Sequence, residues 1–275
     1  MLEPSAVSPF FNTHRPQVFA HRGGAHLGPE NTIAAFDRGM KTGADGLELD
    51  VHLSADGVVV VHHDSTLDRT TNAVGLIADR TADELAHVDA GYRFERAGAF
   101  PFRGLGIGVP RLSEVLGRYR GTPIIVEIKV YTARAGELVA EEIRRADACD
   151  FVCVAGFGLA SARAARRVLP AVAASACQAE VRLAVYRSWL RWPVRQAPYQ
   201  TYQVPEVVER GPRVVSRQFI RDAHRGGLKV QVWTVDEETD MRRLLEWGVD
   251  ALITNRPDLA VAVRDAFLDG DGARP

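Results

Sequence analysis

The sequence predicts an α/β fold in which eight parallel strands close into a (β/α)8 barrel, with a small insertion after a hairpin on the second strand. Three observations carry that prediction. Short apolar runs recur along the chain, amphipathic stretches with apolar residues three and four apart lie between them, and 275 residues, 46% of them hydrophobic, suffice for one full core. Alternating β and α elements favour a parallel sheet, and eight of them at this length favour a closed TIM-type barrel over two domains.

The strands are expected at Val18–His21, Gly46–Leu53, Ile124–Lys129, Phe151–Phe157, Ala171–Cys177, Thr201–Pro205, Lys229–Val235 and Ala251–Thr254, with Val58–His63 as the return arm of the second. Helical spacing marks Ile33–Thr42, Gly136–Asp147, Leu159–Val168, Ser216–Arg225 and Asp236–Trp247. A single barrel domain is expected over 16–262, with 1–15 and 269–275 as terminal tails. One interval breaks the rhythm. Ser65 to Pro110 far exceeds the roughly 2–6 residues of an ordinary βα loop and reads as a cap over the barrel mouth.

Composition excludes little but points one way. A formal net charge of −1 gives no general drive toward nucleic acid, although a local basic patch remains compatible with it. The start, Met1 to Phe10, lacks a basic opening and a long apolar run, and no window approaches the ~18 uncharged apolar residues of a membrane span, so a soluble, cytoplasmic protein is expected. Cys149, Cys153 and Cys177 have no second Cys/His pair with zinc-site spacing and read as buried free thiols.

The chemistry concentrates between Glu48 and Asp64. Asp56-Gly57 signals a two-residue hairpin turn, which sets Ala55 opposite Val58 and Asp50 opposite His63, with Glu48 on the same face as Asp50. A slip of one residue would bring His62 or Asp64 opposite Asp50 instead. Two carboxylates beside an imidazole suggest a hard-metal site with an acid/base group, against the plainer reading of a strand with a charged solvent face. In a parallel barrel the site lies at the C-terminal strand ends. The first strand ends in His21-Arg22-Gly23-Gly24, where the arginine suits an oxyanion and the glycines permit close approach. On the third, Glu127 and Lys129 share a face; Glu127 can complete a three-carboxylate set and Lys129 can neutralise a phosphate oxygen, unless the two form a structural pair. Asn31 or Thr32 caps the first helix, and Glu30 orients Arg22 or another group of the site, unless it serves only the N-terminus of that helix. Trp233, at a strand terminus, walls a polyol pocket or packs in the barrel core.

These motifs occur in one order: His21-Arg22-Gly23, Pro29-Glu30-Asn31-Thr32, Glu48-x-Asp50-Val51, Asp56-Gly57 through His62-His63-Asp64, Leu67-x-Arg69-Thr70-Thr71, Pro110-x-Leu112, Glu127-Ile128-Lys129, Val232-Trp233-Thr234 and Gly248-Val249-Asp250 through Arg256-Pro257. The ordered set, from about Val18 to Pro257, resembles the glycerophosphodiester phosphodiesterase family. The resemblance implies a (β/α)8 barrel with an insertion after the hairpin, and hydrolysis of glycerophosphodiesters to glycerol 3-phosphate and an alcohol. It implies a divalent metal on Glu48, Asp50 and Glu127, His21 and His63 as the acid/base pair, and Arg22 and Lys129 on the phosphate. All-oxygen ligation favours Mg2+ or Ca2+ over zinc. Two positions depart from the family: Asn255, commonly Asp, and Gly156, where Ser often precedes the Phe. Neither is expected to touch the implied catalytic set, so the departures leave the chemistry intact and bear on substrate choice.

Two rival functions stand beside this one. A lysophospholipase D-type phosphodiesterase acting on lipid substrates is suggested by 181–202, which interleaves Arg182, Arg187, Arg191 and Arg195 with Tyr186, Trp189, Leu190 and Trp192 and could touch a membrane surface weakly. A catalytically silent barrel binding a phosphodiester is the other; retention of every expected metal and acid/base residue speaks against it.

Overall fold

The computed structural model describes residues 8–190, 192, 197–208, 211 and 213–271. Eight parallel strands form a nearly closed barrel: β1 (Gln17–His21), β2 (Gly46–Leu53), β4 (Ile124–Ile128), β5 (Val152–Ala155), β6 (Ala173–Ala174), β7 (Thr201–Pro205), β8 (Lys229–Trp233) and β9 (Ala251–Thr254). Their order is β6-β5-β4-β2-β1-β9-β8-β7. Between β6 and β7 the ring is held by Gln200 N–H to Ala174 O and Ala176 N–H to Thr201 O, both 2.9 Å. The short β3 (Val59–Val61) lies outside the ring, antiparallel to β2.

The strands are buried on both faces, which explains their apolar runs. In β2, Leu47, Leu49 and Val51 pack into the main core with Phe36 and Val126, while the intervening Glu48 and Asp50 point into the barrel and are equally buried. A charged solvent face is therefore ruled out for this strand. Inside the barrel, Phe19, Ile125, Cys153 and Ile253 form a second cluster, joined by Phe10 and Phe11. Those two phenylalanines, 2% and 5% exposed, come from the segment assigned to a tail on sequence alone; Phe10 stacks on Phe19 at 5.8 Å.

The connecting helices are α1 (Ile33–Lys41), α3 (Leu112–Arg118), α4 (Ala133–Arg145), α5 (Leu159–Val168), α6 (Gln178–Trp189), α7 (Arg217–Arg225), α8 (Glu238–Trp247) and α9 (Pro257–Asp271), with α2 (Ala82–Ala86) in the insertion. α4 starts earlier than its apolar spacing suggests because Thr132 caps it, accepting from Ala135 N–H at 3.3 Å. β6 is shorter than expected because Cys177 is already the N-cap of α6. No helix among the described residues is long and apolar enough to cross a membrane.

The insertion builds its own small core from Leu67, Ile77, Leu85, Val88 and Val109 against Val60 of β3. It does not roof the barrel. None of its residues lines the main cavity, because its apolar side chains are committed to the face of β3 that carries Val60. Its link to the site runs through one arginine, described below.

Candidate active site

Parallel register brings the charged residues together. His21 pairs with Glu48 across β1 and β2, and Asp50 pairs with Glu127 across β2 and β4. Glu48, Asp50 and Glu127 each offer an oxygen within 4.8 Å of the others. At an effective dielectric of about 20, two unit charges 4 Å apart repel by about 4 kcal/mol, so such a set demands cations. Two are built in. Lys129 Nζ donates to Glu127 Oε1 at 2.8 Å and lies 3.1 Å from Asp50 Oδ1. Arg22 N–H donates to Glu48 Oε2 at 3.0 Å, and its Nε lies 3.2 Å from Asp50 Oδ2 without the alignment of a hydrogen bond.

The two positive charges are shared unequally. Burial raises the Asp50 carboxyl, but Lys129 and Arg22 outweigh it and hold the group below the usual range. Glu48 is pushed well above that range by burial and by the neighbouring Asp50 and Glu127, and Glu127 is raised by burial and Asp50. Three carboxylates against two cations leave the site short of one positive charge. That shortage is what a divalent ion would relieve.

Each imidazole has one nitrogen fixed. Asn255 donates from Nδ2 to Asp236 Oδ2 and from its backbone N–H to Asp236 Oδ1, both at 2.8 Å, so its Oδ1 is left to accept from His21 Nδ1–H at 2.7 Å. Contrary to the sequence expectation, this position touches the implied catalytic set, because the end of β9 lies beside the end of β1. His21 Nε2 is then the bare nitrogen, 3.8 Å from Glu48 Oε2. Burial, with Arg22 beside it, lowers the His21 pKa to about 4, so the ring is neutral at neutral pH. His63 Nδ1–H donates to Asp64 Oδ1 at 2.6 Å, which likewise leaves Nε2.

The hairpin register differs from the sequence expectation by one residue. Val51 faces Val61 and Leu53 faces Val59, and His62 N–H donates to Asp50 O at 2.9 Å, so His62 rather than His63 stands opposite Asp50. The cause is a three-residue loop in place of a two-residue one. Ser54 N–H donates to Val58 O, Val58 N–H donates to the Ser54 hydroxyl rather than to its carbonyl, that hydroxyl donates to Asp56, and Gly57 takes a φ of 76° that suits a left-handed turn position. His63 nevertheless lines the cavity, because β3 stops at Val61 and His52 Nε2 donates to His63 O at 2.9 Å, holding the turned chain. His62 is buried elsewhere, on Asp64 O and Thr70 Oγ1.

Several further residues shape the site, and their contacts with it are not legible in sequence. Thr32 is the helix cap, accepting from Ala35 N–H at 3.2 Å, which frees Asn31 to donate from Nδ2 to Asp50 Oδ2 at 2.9 Å. Arg69, from the insertion, grips Glu30 through both carboxylate oxygens (2.6 and 2.8 Å) and Asp64 through its Nε (2.6 Å). Glu30 in turn accepts from Arg22 at 3.0 Å. One guanidinium thus ties the partner of His63 to the partner of Arg22. Partial burial opposes ionisation of Asp64, but the bonds from Arg69 and His63 hold it far below the usual carboxylate range. Arg69→Ala is expected to lower kcat/KM about 10–100-fold with the far-UV circular dichroism unchanged, and Arg69→Lys to recover only part, because an ammonium cannot hold two carboxylates in fork geometry.

The turn after β1 needs its glycine. Gly23 has φ +86°, and a Cβ there would lie 2.7 Å from the Ala35 carbonyl carbon and the Phe36 nitrogen. Arg22 beside it is itself left-handed at φ 52°. Gly23→Ala is expected to cost about 1–3 kcal/mol in urea unfolding, since neither backbone nor neighbour can retreat.

These groups open into a cavity of about 990 Å3. His21, Arg22, Glu48, His63, Glu127 and Lys129 line one end, and Asp50 lies beneath them, 1% exposed. Trp233 lines the wall as well, edge-on to Phe157 at 6.1 Å, so it serves cavity and interior packing together. Arg191 and Arg195 of the basic-aromatic segment lie outside the described residues, whereas Tyr186, Trp189, Leu190 and Trp192 are exposed.

Comparison with known proteins bears on the family and the fold. The sequence profile of the glycerophosphoryl diester phosphodiesterase family matches residues 21–259. A glycerophosphodiester phosphodiesterase from Caldanaerobacter subterraneus subsp. tengcongensis is 32% identical over 250 residues, covering 89% of this chain and 96% of that protein. Two solved structures share the fold. The glycerophosphoryl diester phosphodiesterase domain of an uncharacterized Mycobacterium tuberculosis protein gives a TM-score of 0.80 at 21% identity, over 92% of this chain and 99% of that one. An Oleispira antarctica phosphodiesterase in complex with the product sn-glycerol-3-phosphate gives 0.73 at 24% identity, over 91% and 97%. With the profile spanning nearly the whole chain and a relative this similar over its full length, the chain belongs to the glycerophosphoryl diester phosphodiesterase family of enzymes.

Proposed function

We propose that this enzyme hydrolyses glycerophosphodiesters to glycerol 3-phosphate and an alcohol, with a hard divalent cation at Glu48, Asp50 and Glu127 and proton transfer by His21 and His63. The observation that carries the reading is the pair of imidazoles, each tied through Nδ1 and each left with Nε2, lining one cavity together with Glu48 and Glu127 of the acidic cluster.

Cleaving a phosphodiester requires charge neutralisation on the phosphate oxygens, a deprotonated nucleophile and a protonated leaving oxygen. Arg22 supplies a guanidinium with a buried Nε that makes no hydrogen bond of its own, and Lys129 supplies an ammonium at the same end. His21, neutral at neutral pH and bare at Nε2, accepts the proton of the attacking hydroxyl. His63, whose Nδ1 faces a carboxylate rather than an amide oxygen, protonates the departing alkoxide. The donor set is oxygen only, which suits Mg2+ or Ca2+, and such an ion would supply Lewis-acid stabilisation of the phosphate. The carboxylates Glu48 and Glu127, raised by burial and by Asp50 beside them, would be relieved by its charge.

The direct test is an assay of the purified protein with glycerophosphocholine and added Mg2+ or Ca2+, reading glycerol 3-phosphate by coupled oxidation and choline separately. Equimolar release of both is expected. Release of choline phosphate in place of glycerol 3-phosphate, or no release, would contradict the reading.

A further inference from the structure

One hydrogen-bond chain runs across three strand ends. β8, β9 and β1 are neighbours in the ring, and Asp236 after β8 leads through Asn255 after β9 to His21 at the end of β1. Asp236 Oδ1 accepts from Thr254 Oγ1 at 3.0 Å and from the Asn255 backbone N–H at 2.8 Å, while its Oδ2 accepts from Asn255 Nδ2 at 2.8 Å. Asn255 Oδ1 then accepts from His21 Nδ1–H at 2.7 Å. Neither Asp236 nor Asn255 lines the cavity, so both act on a substrate only through His21, which does.

One donor in this chain cannot turn. A side-chain amide can be rotated end for end, but the backbone N–H of Asn255 is fixed by the end of β9 and needs an acceptor where Asp236 Oδ1 stands. A carboxylate has acceptors and no donor, so its second oxygen also accepts, which selects the Nδ2 end of the Asn255 amide and turns the amide oxygen to His21. The ring is thereby kept in one tautomer, with Nε2 bare on the side of Glu48. An asparagine at position 236 would reverse the chain. Its oxygen would take the backbone N–H, and its amide nitrogen would then oppose Asn255 Nδ2, donor against donor. Turning the Asn255 amide relieves that clash but presents a donor to His21 Nδ1. The ring proton then moves to Nε2, and the cavity side loses its acceptor.

We propose that Asp236 is a positioning residue: acting through Asn255, it sets the direction of the chain and keeps His21 Nε2 free to take the proton of the attacking hydroxyl. This rests on the reading of His21 as the base. Asp236 and Asn255 are then a matched pair, and exchanging them keeps the match. In Asp236→Asn/Asn255→Asp the new carboxylate accepts from the new amide on one side and from His21 Nδ1–H on the other, so the tautomer is the same as in the wild type.

The exchange is the test, read in two ways on the full chain. Steady-state kinetics with glycerophosphocholine at saturating Mg2+ or Ca2+ gives kcat and KM. Nitrogen-15 NMR of histidine-labelled protein gives the tautomer of His21, whose signals are identified by their loss in His21→Ala. Asp236→Asn should lower kcat by about tenfold or more, leave KM within about twofold, and move the His21 proton to Nε2. Asn255→Asp alone sets two carboxylates face to face where a 2.8 Å hydrogen bond stood, and should also be slow. The double variant should outpace both single variants and return to within about threefold of the wild type, with the proton back on Nδ1. If Asp236→Asn does not fold, the comparison runs from Asn255→Asp, which the added Asp236→Asn should speed. Losses that simply add in the double variant overturn the proposal, since a merely structural role predicts them. A wild-type tautomer in Asp236→Asn overturns it as well, and leaves the hydrolytic reading standing. If the tautomer follows the exchange while kcat ignores it, His21 is not the base, and the positioning role falls with that reading. Absence of turnover in the wild type sinks the hydrolytic reading, and this role with it.

Discussion

His21→Ala and His63→Ala are each expected to lower kcat by about 10²–10⁴-fold, the contribution of a positioned acid or base, with no concentration of cation restoring the loss. The expectation follows from how little else at the charged end can move a proton. Glu48 and Glu127 are raised by burial and mutual repulsion, but they face the ion site, and Lys129 is held in its charged form by Asp50 and Glu127 against its burial. The two variants should differ in what repairs them. A substrate with an activated leaving group such as p-nitrophenol needs no protonation as it departs, so it should recover much of the activity of His63→Ala and little of that of His21→Ala. Equal recovery in both, or recovery only in His21→Ala, would reverse the acid and base roles. Stopped assays with the two substrate types measure this directly.

Removing divalent cations is expected to abolish turnover, and Mg2+ or Ca2+ to restore it. Three carboxylates within 4.8 Å, with Arg22 and Lys129 between them, form a site in which charge is not balanced by the protein alone. Asp50→Ala should be the most damaging single change to the ion site, since Asp50 also anchors Arg22, Lys129 and Asn31. Part of its activity should return at high cation concentration. Full activity after chelation and metal-free dialysis would remove the ion from the mechanism.

Much of this arrangement is legible in sequence because burial on both faces leaves a simple signature. A strand such as Gly46–Leu53, with Glu48 and Asp50 between apolar residues, reads on its own equally as one with a charged solvent face. It is closure of the barrel, with the apolar side under the helices, that turns its carboxylates inside. His21, Glu48, Asp50 and Glu127 follow from that closure and from strand ends. The hairpin register does not. Whether Ser54 or Ala55 pairs with Val58 is decided by a side-chain hydroxyl and one left-handed glycine, and a single-residue error exchanges His62 for His63. His63 reaches the site through a turn after β3 rather than through the ladder. Arg69 is less legible still: it lies 39 residues from Glu30 in the chain, and only the folded insertion brings it between Glu30 and Asp64. α6 escaped the periodicity analysis for a physical reason, since its apolar residues are divided between the cavity wall and open solvent and trace no single stripe.

The central claim is a division of labour, in which the carboxylates hold the ion and the imidazoles move the protons. Calorimetric titration of Mg2+ and Ca2+ into the wild type, His63→Ala and Asp50→Ala, with kcat measured on the same preparations at saturating cation, tests it most directly. His63→Ala should bind the ion with nearly the affinity of the wild type and remain slow, while Asp50→Ala should bind it weakly and gain activity as the ion is raised. If His63→Ala loses ion binding yet turns over normally once saturated, the imidazole is a ligand and the account is wrong.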